Sequence, residues 1–338
     1  MSVLTPSVEA ALVAAAQAGD EEAFGRLTQP YARELHVHCY RMLGSPLDAE
    51  DALQETLLRA WRHLTSFEPG TAFRAWLYRI ATNVCLSALT RKPEPTPSGP
   101  YLPTPEGEAI HLAPYPDDLL DELPSAAAEP GARYDLRESV QLALLASIQL
   151  LPPRQRAVLF LRDVLGFAAG EVAELLESST ASVNSALQRA RATLDRRQAE
   201  DRMGLGRTPP PDDAERSLVR RYMEAWETVD VEGLVALLRE DVVMTMPPMP
   251  VLFRGREAIA EFFSTVPADG ALDEIRLLPS RANRQPALAG YVLDRETGVS
   301  RGYGIMVLTL DGDQIAEITG FTDPRIFALF GLPAELPS

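Results

Sequence analysis

A chain of 338 residues with 46% apolar side chains is long enough for two or three domains, each with its own core. Two cysteines exclude a disulfide scaffold, no apolar run reaches the roughly 20 residues needed to cross a bilayer, and no charged-then-apolar leader opens the chain, so a reduced, cytoplasmic, non-membrane protein is expected. A net charge of -16 excludes a protein that holds nucleic acid by bulk charge alone, yet residues 1–92 carry 9 basic and 10 acidic groups, 93–135 carry 1 and 9, 136–208 carry 10 and 8, and the rest carry 12 and 21. The acidity is therefore confined to a central segment and the C-terminal third.

Residues 7–92 read as helical throughout, with breaks at Gly44-Ser-Pro and Pro69-Gly70. In the helix that begins near Asp48, Leu53, Leu57, Ala60 and Leu64 form the inward stripe, and Asp51, Gln54, Glu55, Leu58 and Arg59 lie outside. In the helix Phe73 to Lys92, Phe73, Leu77, Ile80, Ala81, Val84 and Ala88 face the core, with Arg79 and Asn83 on other sides and Trp76 on the shoulder. His36, His38 and Cys39 invite a metal reading, but positions two apart on a helix point to different faces and no fourth ligand is suggested, so neither a metal nor a cofactor is expected. From Pro93 to Pro130 there are ten prolines in 38 residues, the composition of a linker. Within it, Tyr115, Leu119, Leu120 and Leu123 are interleaved with acidic residues, the pattern either of a docking island or of a solvated spacer.

Residues 133–204 form a second helical unit. Leu151-Pro-Pro-Arg-Gln-Arg starts a mostly apolar helix that Gly166 can end. A short helix from about Ala168 to Leu176, a turn Glu177-Ser-Ser-Thr in which Ser179 or Thr180 can cap, and a longer helix to Arg197 then read as a helix-turn-helix. Val183, Leu187, Ala190 and Leu194 share the buried face of the last helix. Ser182, Asn184, Ser185, Gln188, Arg189 and Arg196 are the candidates for base edges and phosphates, because Asn and Gln can pair with adenine and Arg with guanine or phosphate. An ordinary helical hairpin with a basic solvated face is the alternative.

After a stiff hinge at 205–213 the pattern changes. Two helices, Arg216 to Val229 with Leu218, Tyr222, Ala225, Trp226 and Val229 on one side, and Val231 to Leu238, precede a strand from Asp241. A helix from Arg256 to Phe263 and strands at 275–278, 287–293, 301–310 and 314–319 follow, the last two joined at Asp311-Gly312. Helices followed by a curved antiparallel sheet predict an α+β cone over 214–333, with an internal pocket. Trp226, Met244, Met246, Met249, Phe253, Phe263, Tyr291, Tyr303 and Phe321 either line that pocket, which would admit a small ligand of unknown identity, or simply fill the core. Asp241 and Asp323 are the available acid-base candidates, but no histidine follows His111, and an enzyme is not expected.

Gly19-Asp-Glu-Glu-Ala-Phe-Gly-Arg-Leu, Asp48-Ala-Glu-Asp-Ala-Leu-Gln-Glu-Thr-Leu-Leu-Arg-Ala-Trp61 and Phe73-Arg-Ala-Trp-Leu-Tyr-Arg-Ile-Ala-Thr-Asn83 closely resemble region 2 of sigma-70-type factors of the extracytoplasmic-function class. The helix-turn-helix resembles their region 4, in the family's order, and Glu215 to Phe330 resembles a SnoaL-like domain of the NTF2-like class. The three-part layout is similar to the subfamily whose C-terminal extension takes the place of a separate anti-sigma protein. The resemblance implies a multidomain fold: an all-α region 2 at 1–92, a linker at 93–132, an all-α region 4 at 133–204 and the α+β extension. It implies core RNA polymerase and promoter DNA as partners, with the β′ clamp helices meeting the outer face of the Asp48 helix, the β flap a further contact, and Trp76, Arg79 and Asn83 near the melted minus-ten element. Ser87 stands where many members carry an acidic residue, so minus-ten readout does not carry over in detail. The competing reading is a DNA-binding regulator fused to a small-molecule-binding or enzymatic domain, which would have no need of a polymerase face on the Asp48 helix.

Overall fold

The computed structural model describes residues 5–67, 72–91, 112–121, 142–204, 212–247 and 249–337. Helix α1 (Pro6–Gln17) leads into α2 (Glu21–Leu43), whose start is capped by the Asp20 carboxylate accepting from the Ala23 N–H and whose end is Gly44 at φ 79°. The run from Leu35 to Leu43 is buried on every side, because α3 (Pro46–His63) and α4 (Phe73–Arg91) both pack on it. Ser45 caps α3 and Pro46 occupies its first turn, so the Gly44-Ser-Pro break both ends one helix and begins the next. On α3 the buried residues are Pro46, Ala49, Ala52, Leu53, Thr56 and Ala60. Leu57, expected inside, is only half-buried, and the smaller Thr56 takes the inner position with its hydroxyl donating to the Ala52 carbonyl at 2.6 Å. On α4, Ile80 and Ala88 are likewise half-buried, while Tyr78, Thr82 and Cys85 go inside.

Helices α6 (Leu142–Gln149) and α7 (Pro153–Leu159) belong to the same compact unit as α1–α4. The side chain of Arg156 on α7, only 4% exposed, donates to the carbonyls of Met42, Gln149 and Leu151 and to Gln149 Oε1. One guanidinium thereby satisfies orphan carbonyls at the C-terminal ends of α2 and α6, where the helix dipoles favour a cation. Burial lowers its pKa to about 10, which leaves it charged at neutral pH. After α7 a π-helical turn over Phe160–Val164 presents Asp163, 1% exposed, to Arg191 at 2.8 Å. Helices α8 (Ala169–Leu175) and α9 (Thr180–Gly204) complete the helix-turn-helix. Ser179 is the residue that caps α9, accepting from the Ser182 N–H.

The second unit contains residues 112–117 of the linker, the start of the short helix α5 (Asp117–Asp121), and everything from α10 onward. Helices α10 (Asp212–Glu227) and α11 (Val231–Ala236) precede β1 (Leu238–Met246), β2 (Met249–Arg254), α12 (Arg256–Thr265), β3 (Ile275–Ala282), β4 (Gln285–Asp294), β5 (Val299–Asp311), β6 (Gln314–Phe321) and β7 (Glu335–Leu336). The strands form one sheet in the order β2-β1-β6-β5-β4-β3, antiparallel except for β1 with β6, and β7 adds to β5. Leu218, Tyr222 and Trp226 of α10 and Ile259, Phe262 and Phe263 of α12 pack into one core with Met244, Leu288, Leu308 and Ile318 of the sheet. Val229, expected on the inner side of α10, lies past its end at φ 55° and is exposed. The β5–β6 connection is the expected two-residue turn, with Asp311 opposite Gln314 and Gly312 at φ 59°.

Candidate functional site

Three surfaces of the helical unit carry the candidate contacts. On α3, Asp51 and Gln54 are exposed, Leu58 is 51% exposed, and Glu55 and Arg59 are half-buried and paired at 2.6 Å. An exposed leucine among acidic and amide groups is a surface suited to a basic partner that also offers apolar contact.

On α4, Trp76 is half-buried and packs against Phe67 and Phe73 at 5.3 and 5.5 Å, so its ring is largely committed to the core. Asn83 is half-buried. Arg79 is exposed and its guanidinium donates to Glu177 Oε1 at 3.0 Å, in the turn of the helix-turn-helix. Behind this face, His38 is buried against Thr82 Oγ1 at 2.9 Å and edge-on to Tyr78, and burial, with Arg41 and Arg74 adding to it, lowers its pKa to about 3. His36 faces Glu50 at 3.6 Å instead of a shared site. Among the described residues no group of three His, Cys, Asp or Glu side chains is arranged to hold a metal.

On α9, Val183, Leu187, Ala190 and Leu194 are buried, and Ser182, Asn184, Ser185, Gln188, Arg189 and Arg196 are all exposed. The buried stripe and the polar face fall where a 3.6-residue period puts them. Arg191, between the two, holds Asp163 and so braces the recognition helix against the unit that carries it.

In the second unit, the linker is clasped by the hairpin between β3 and β4. Asn283 and Arg284, at φ 55° and 63°, are its two turn residues, and Ala282 pairs with Gln285. Asn283 Oδ1 accepts from the Tyr115 N–H at 2.8 Å, and the Asn283 N–H donates to the Tyr115 carbonyl at 2.9 Å. Pro116 bridges to Ala282 as a short antiparallel pair. Asp117 Oδ1 accepts from the Arg284 N–H at 2.8 Å and its other oxygen lies 3.3 Å from Arg281 Nε, which also pairs with Glu215 of α10. Burial raises the Asp117 pKa against the opposing pull of these arginines. Leu112 and Tyr115 are buried; Leu120, buried, and Leu119, half-buried, fall in the helical unit, and Leu123 lies outside the described residues. Neither Asn283 nor Asp117 stands out in the sequence as a site residue.

A cavity of about 60 Å³ opens between the sheet, α10 and α12. Trp226, Met244, Met246, Phe263, Tyr303 and Phe321 line it as expected, together with Phe262, Ile275, Leu277 and Met306. Three expected members lie elsewhere. Tyr291 lies on the side of β4 opposite the cavity-lining Gly290, where its hydroxyl donates to the Pro333 carbonyl and its ring meets Phe327 at 5.2 Å. Phe253, on the edge strand, packs against the outer side of Phe262 at 4.9 Å, and Met249 is also outside the lining. The carboxylates Asp241 and Asp323 are outside it too. The first pairs with Arg239, and the second caps the turn at Arg325, which holds its pKa below the usual carboxylate value.

A helical unit ending in a helix-turn-helix, and a curved sheet closed by three helices, define a sigma-type transcription factor with a SnoaL-like extension. Family descriptions match accordingly: Sigma-70 region 2 over residues 27–93, Sigma-70 region 4 over 141–194, and SnoaL-like domain over 219–318. The ECF RNA polymerase sigma factor SigG of Mycobacterium tuberculosis (strain ATCC 25618 / H37Rv) is 41% identical over 324 residues, covering 93% of this chain and 85% of that one. SigW of Bacillus subtilis (strain 168) is 29% identical over 183 residues, 54% of this chain and 92% of its own. The crystal structure of M. tuberculosis SigJ shares the fold, with a TM-score of 0.58 and 22% identity over 89% of this chain and 96% of that one. The chain belongs to the ECF RNA polymerase sigma factors, which direct transcription initiation. Among the described residues no helix is long and apolar enough to cross a membrane.

Proposed function

We propose that this chain binds core RNA polymerase and directs promoter-specific initiation, and that its own SnoaL-like domain regulates it by holding the linker between regions 2 and 4. In this reading Asp51, Gln54, Glu55, Leu58 and Arg59 meet the β′ clamp helices, with the β flap a further contact. Arg79 and Asn83, with the edge of Trp76, serve the melted minus-ten strand. Ser182, Asn184, Ser185, Gln188, Arg189 and Arg196 serve the minus-thirty-five duplex. The domain boundaries follow the same division, with region 2 at 1–92, region 4 at 133–204 and the regulatory domain at 214–333.

The observation that carries the regulatory part is the clasp on Tyr115 to Asp117, in which both backbone polar groups of Tyr115 and the Asp117 carboxylate are taken up by one hairpin. Regions 2 and 4 must separate to reach two promoter elements, and the linker sets that separation. The Arg79–Glu177 pair supports a resting arrangement as well, because it occupies a candidate minus-ten residue with a residue of region 4. The pair is exposed and contributes at most about 1 kcal/mol, so the clasp would be the larger restraint. Opening and closing then form a two-state equilibrium that polymerase, promoter or a ligand in the C-terminal cavity can bias. Pull-down with core polymerase followed by run-off transcription tests the assignment. Recovery of a complex that initiates at a defined promoter is expected, and a chain that binds promoter DNA but not core polymerase would overturn it.

A further inference from the structure

The outer face of α10 borders a groove beside the linker clasp. The groove runs between α10 and the turn end of the β3–β4 hairpin and has a volume of about 590 Å³. Val219 and Met223, both half-buried, and Pro279 give it apolar surface. Strand β3 is an edge of the sheet, and Pro279 removes a backbone donor from it, so an added strand would find an incomplete ladder there. A helix, which presents side chains and keeps its backbone bonds to itself, suits the groove better. Charge is ordered along the α10 wall. Arg216 and Arg220 come first and Glu224 and Glu227 follow, all exposed, and their spacings of three and four put them on one stripe with Val219 and Met223. Glu215 and Arg281, the other charged groups of the lining, pair with each other. Within one chain the stripe is weakly engaged: Arg220 lies 3.8 Å from Glu224, and Arg216 pairs with Asp213, all at exposed positions where such pairs exchange at little cost.

A stripe that is basic in its first half and acidic in its second is complementary to itself when reversed. We propose that this face docks a second copy of the chain, the two α10 helices packing antiparallel about a twofold axis, each against the groove of the other. An axis normal to the helix near Arg221 and Tyr222 turns the basic half onto the acidic half. At 1.5 Å per residue Arg216 lies about 8 Å before that axis and Glu227 about 8 Å beyond it, and Arg220 and Glu224 lie within about 4 Å of it. Arg216 then meets Glu227 of the second copy and Arg220 meets its Glu224, with Val219 and Met223 of both copies between them. The interface is isologous and closes at two chains.

Sedimentation equilibrium on the full chain tests this. At low ionic strength the weight-average mass should rise with concentration toward that of two chains, and added salt should oppose the rise. Arg216→Glu with Arg220→Glu makes the stripe wholly acidic, and Glu224→Arg with Glu227→Arg makes it wholly basic. Either pair alone should weaken self-association at least about tenfold, because like charges then face each other across the axis. Mixed in equal amounts, the two variants should associate again, and a chain carrying all four substitutions should self-associate like the parent. All four positions are exposed, so circular dichroism should match the parent throughout. A chain that stays monomeric at every concentration would overturn the proposal. So would a dimer that neither reversal weakens, or reversed variants that fail to associate when mixed.

Discussion

Replacing Asn283 by glycine should release the linker without damaging the domain that holds it. Asn283 occupies a left-handed turn position at φ 55°, which glycine adopts without strain, and the backbone N–H that donates to the Tyr115 carbonyl is retained. What is lost is the Oδ1 acceptor, 2.8 Å from the N–H of a residue that is 0% exposed. Removing the acceptor of a buried amide costs about 1–3 kcal/mol, which lowers the ratio of clasped to released linker by about 5-fold to 150-fold. Hydrogen exchange at the Tyr115 amide should accelerate by that factor, and run-off transcription by the full chain should rise with it. The domain's own unfolding midpoint should move little, since the turn is unchanged. Unaltered exchange at Tyr115 together with unaltered transcription would refute the reasoning, because the clasp would then contribute no docking energy.

Charge reversal at Asp51 and Glu55 to lysine should weaken holoenzyme formation at least tenfold in a pull-down while thermal unfolding shifts by less than the equivalent of about 1 kcal/mol, both groups lying on the solvent side of α3. Gln188→Ala and Arg189→Ala should each cost about 1–3 kcal/mol of promoter discrimination if they touch bases, measured as the ratio of transcription from a promoter and its minus-thirty-five variants. The helical unit should lose stability as pH falls. His38 is held neutral by burial with its folded pKa near 3, below the unfolded 6.5, so its contribution is complete above pH 6.5 and is lost toward pH 3 at up to about 1.4 kcal/mol per pH unit. Denaturant unfolding at pH 7 and pH 5 reads this slope, and it should flatten in His38→Gln.

Much of this was legible from residue spacing. The α9 stripe of Val183, Leu187, Ala190 and Leu194 and the exposed polar face opposite follow from the 3.6-residue period alone. The strand β2 did not read as one because Pro247, Pro248 and Pro250 interrupt its approach, and it is an edge strand, where proline is tolerated. The misplacement of Tyr291 has a different cause: β4 alternates without interruption against β3, but both of its faces are buried over residues 286–291, so the apolar run does not tell which side meets the cavity. Arg156 and Asn283 were invisible for a different reason. Each acts on backbone groups more than a hundred residues away, Arg156 on Met42 and Asn283 on Tyr115, and such partners leave no periodic trace in a single sequence.

The central claim, a sigma factor restrained by its own C-terminal domain through the linker, is tested most directly by run-off transcription with core polymerase, comparing the full chain with a chain ending at Gly206, each with and without Tyr115→Ala. The account predicts that truncation raises initiation, that Tyr115→Ala raises it in the full chain, and that the same substitution has little effect once the C-terminal domain is gone. An equal effect of Tyr115→Ala in both backgrounds, or a full chain as active as the truncated one, would contradict it.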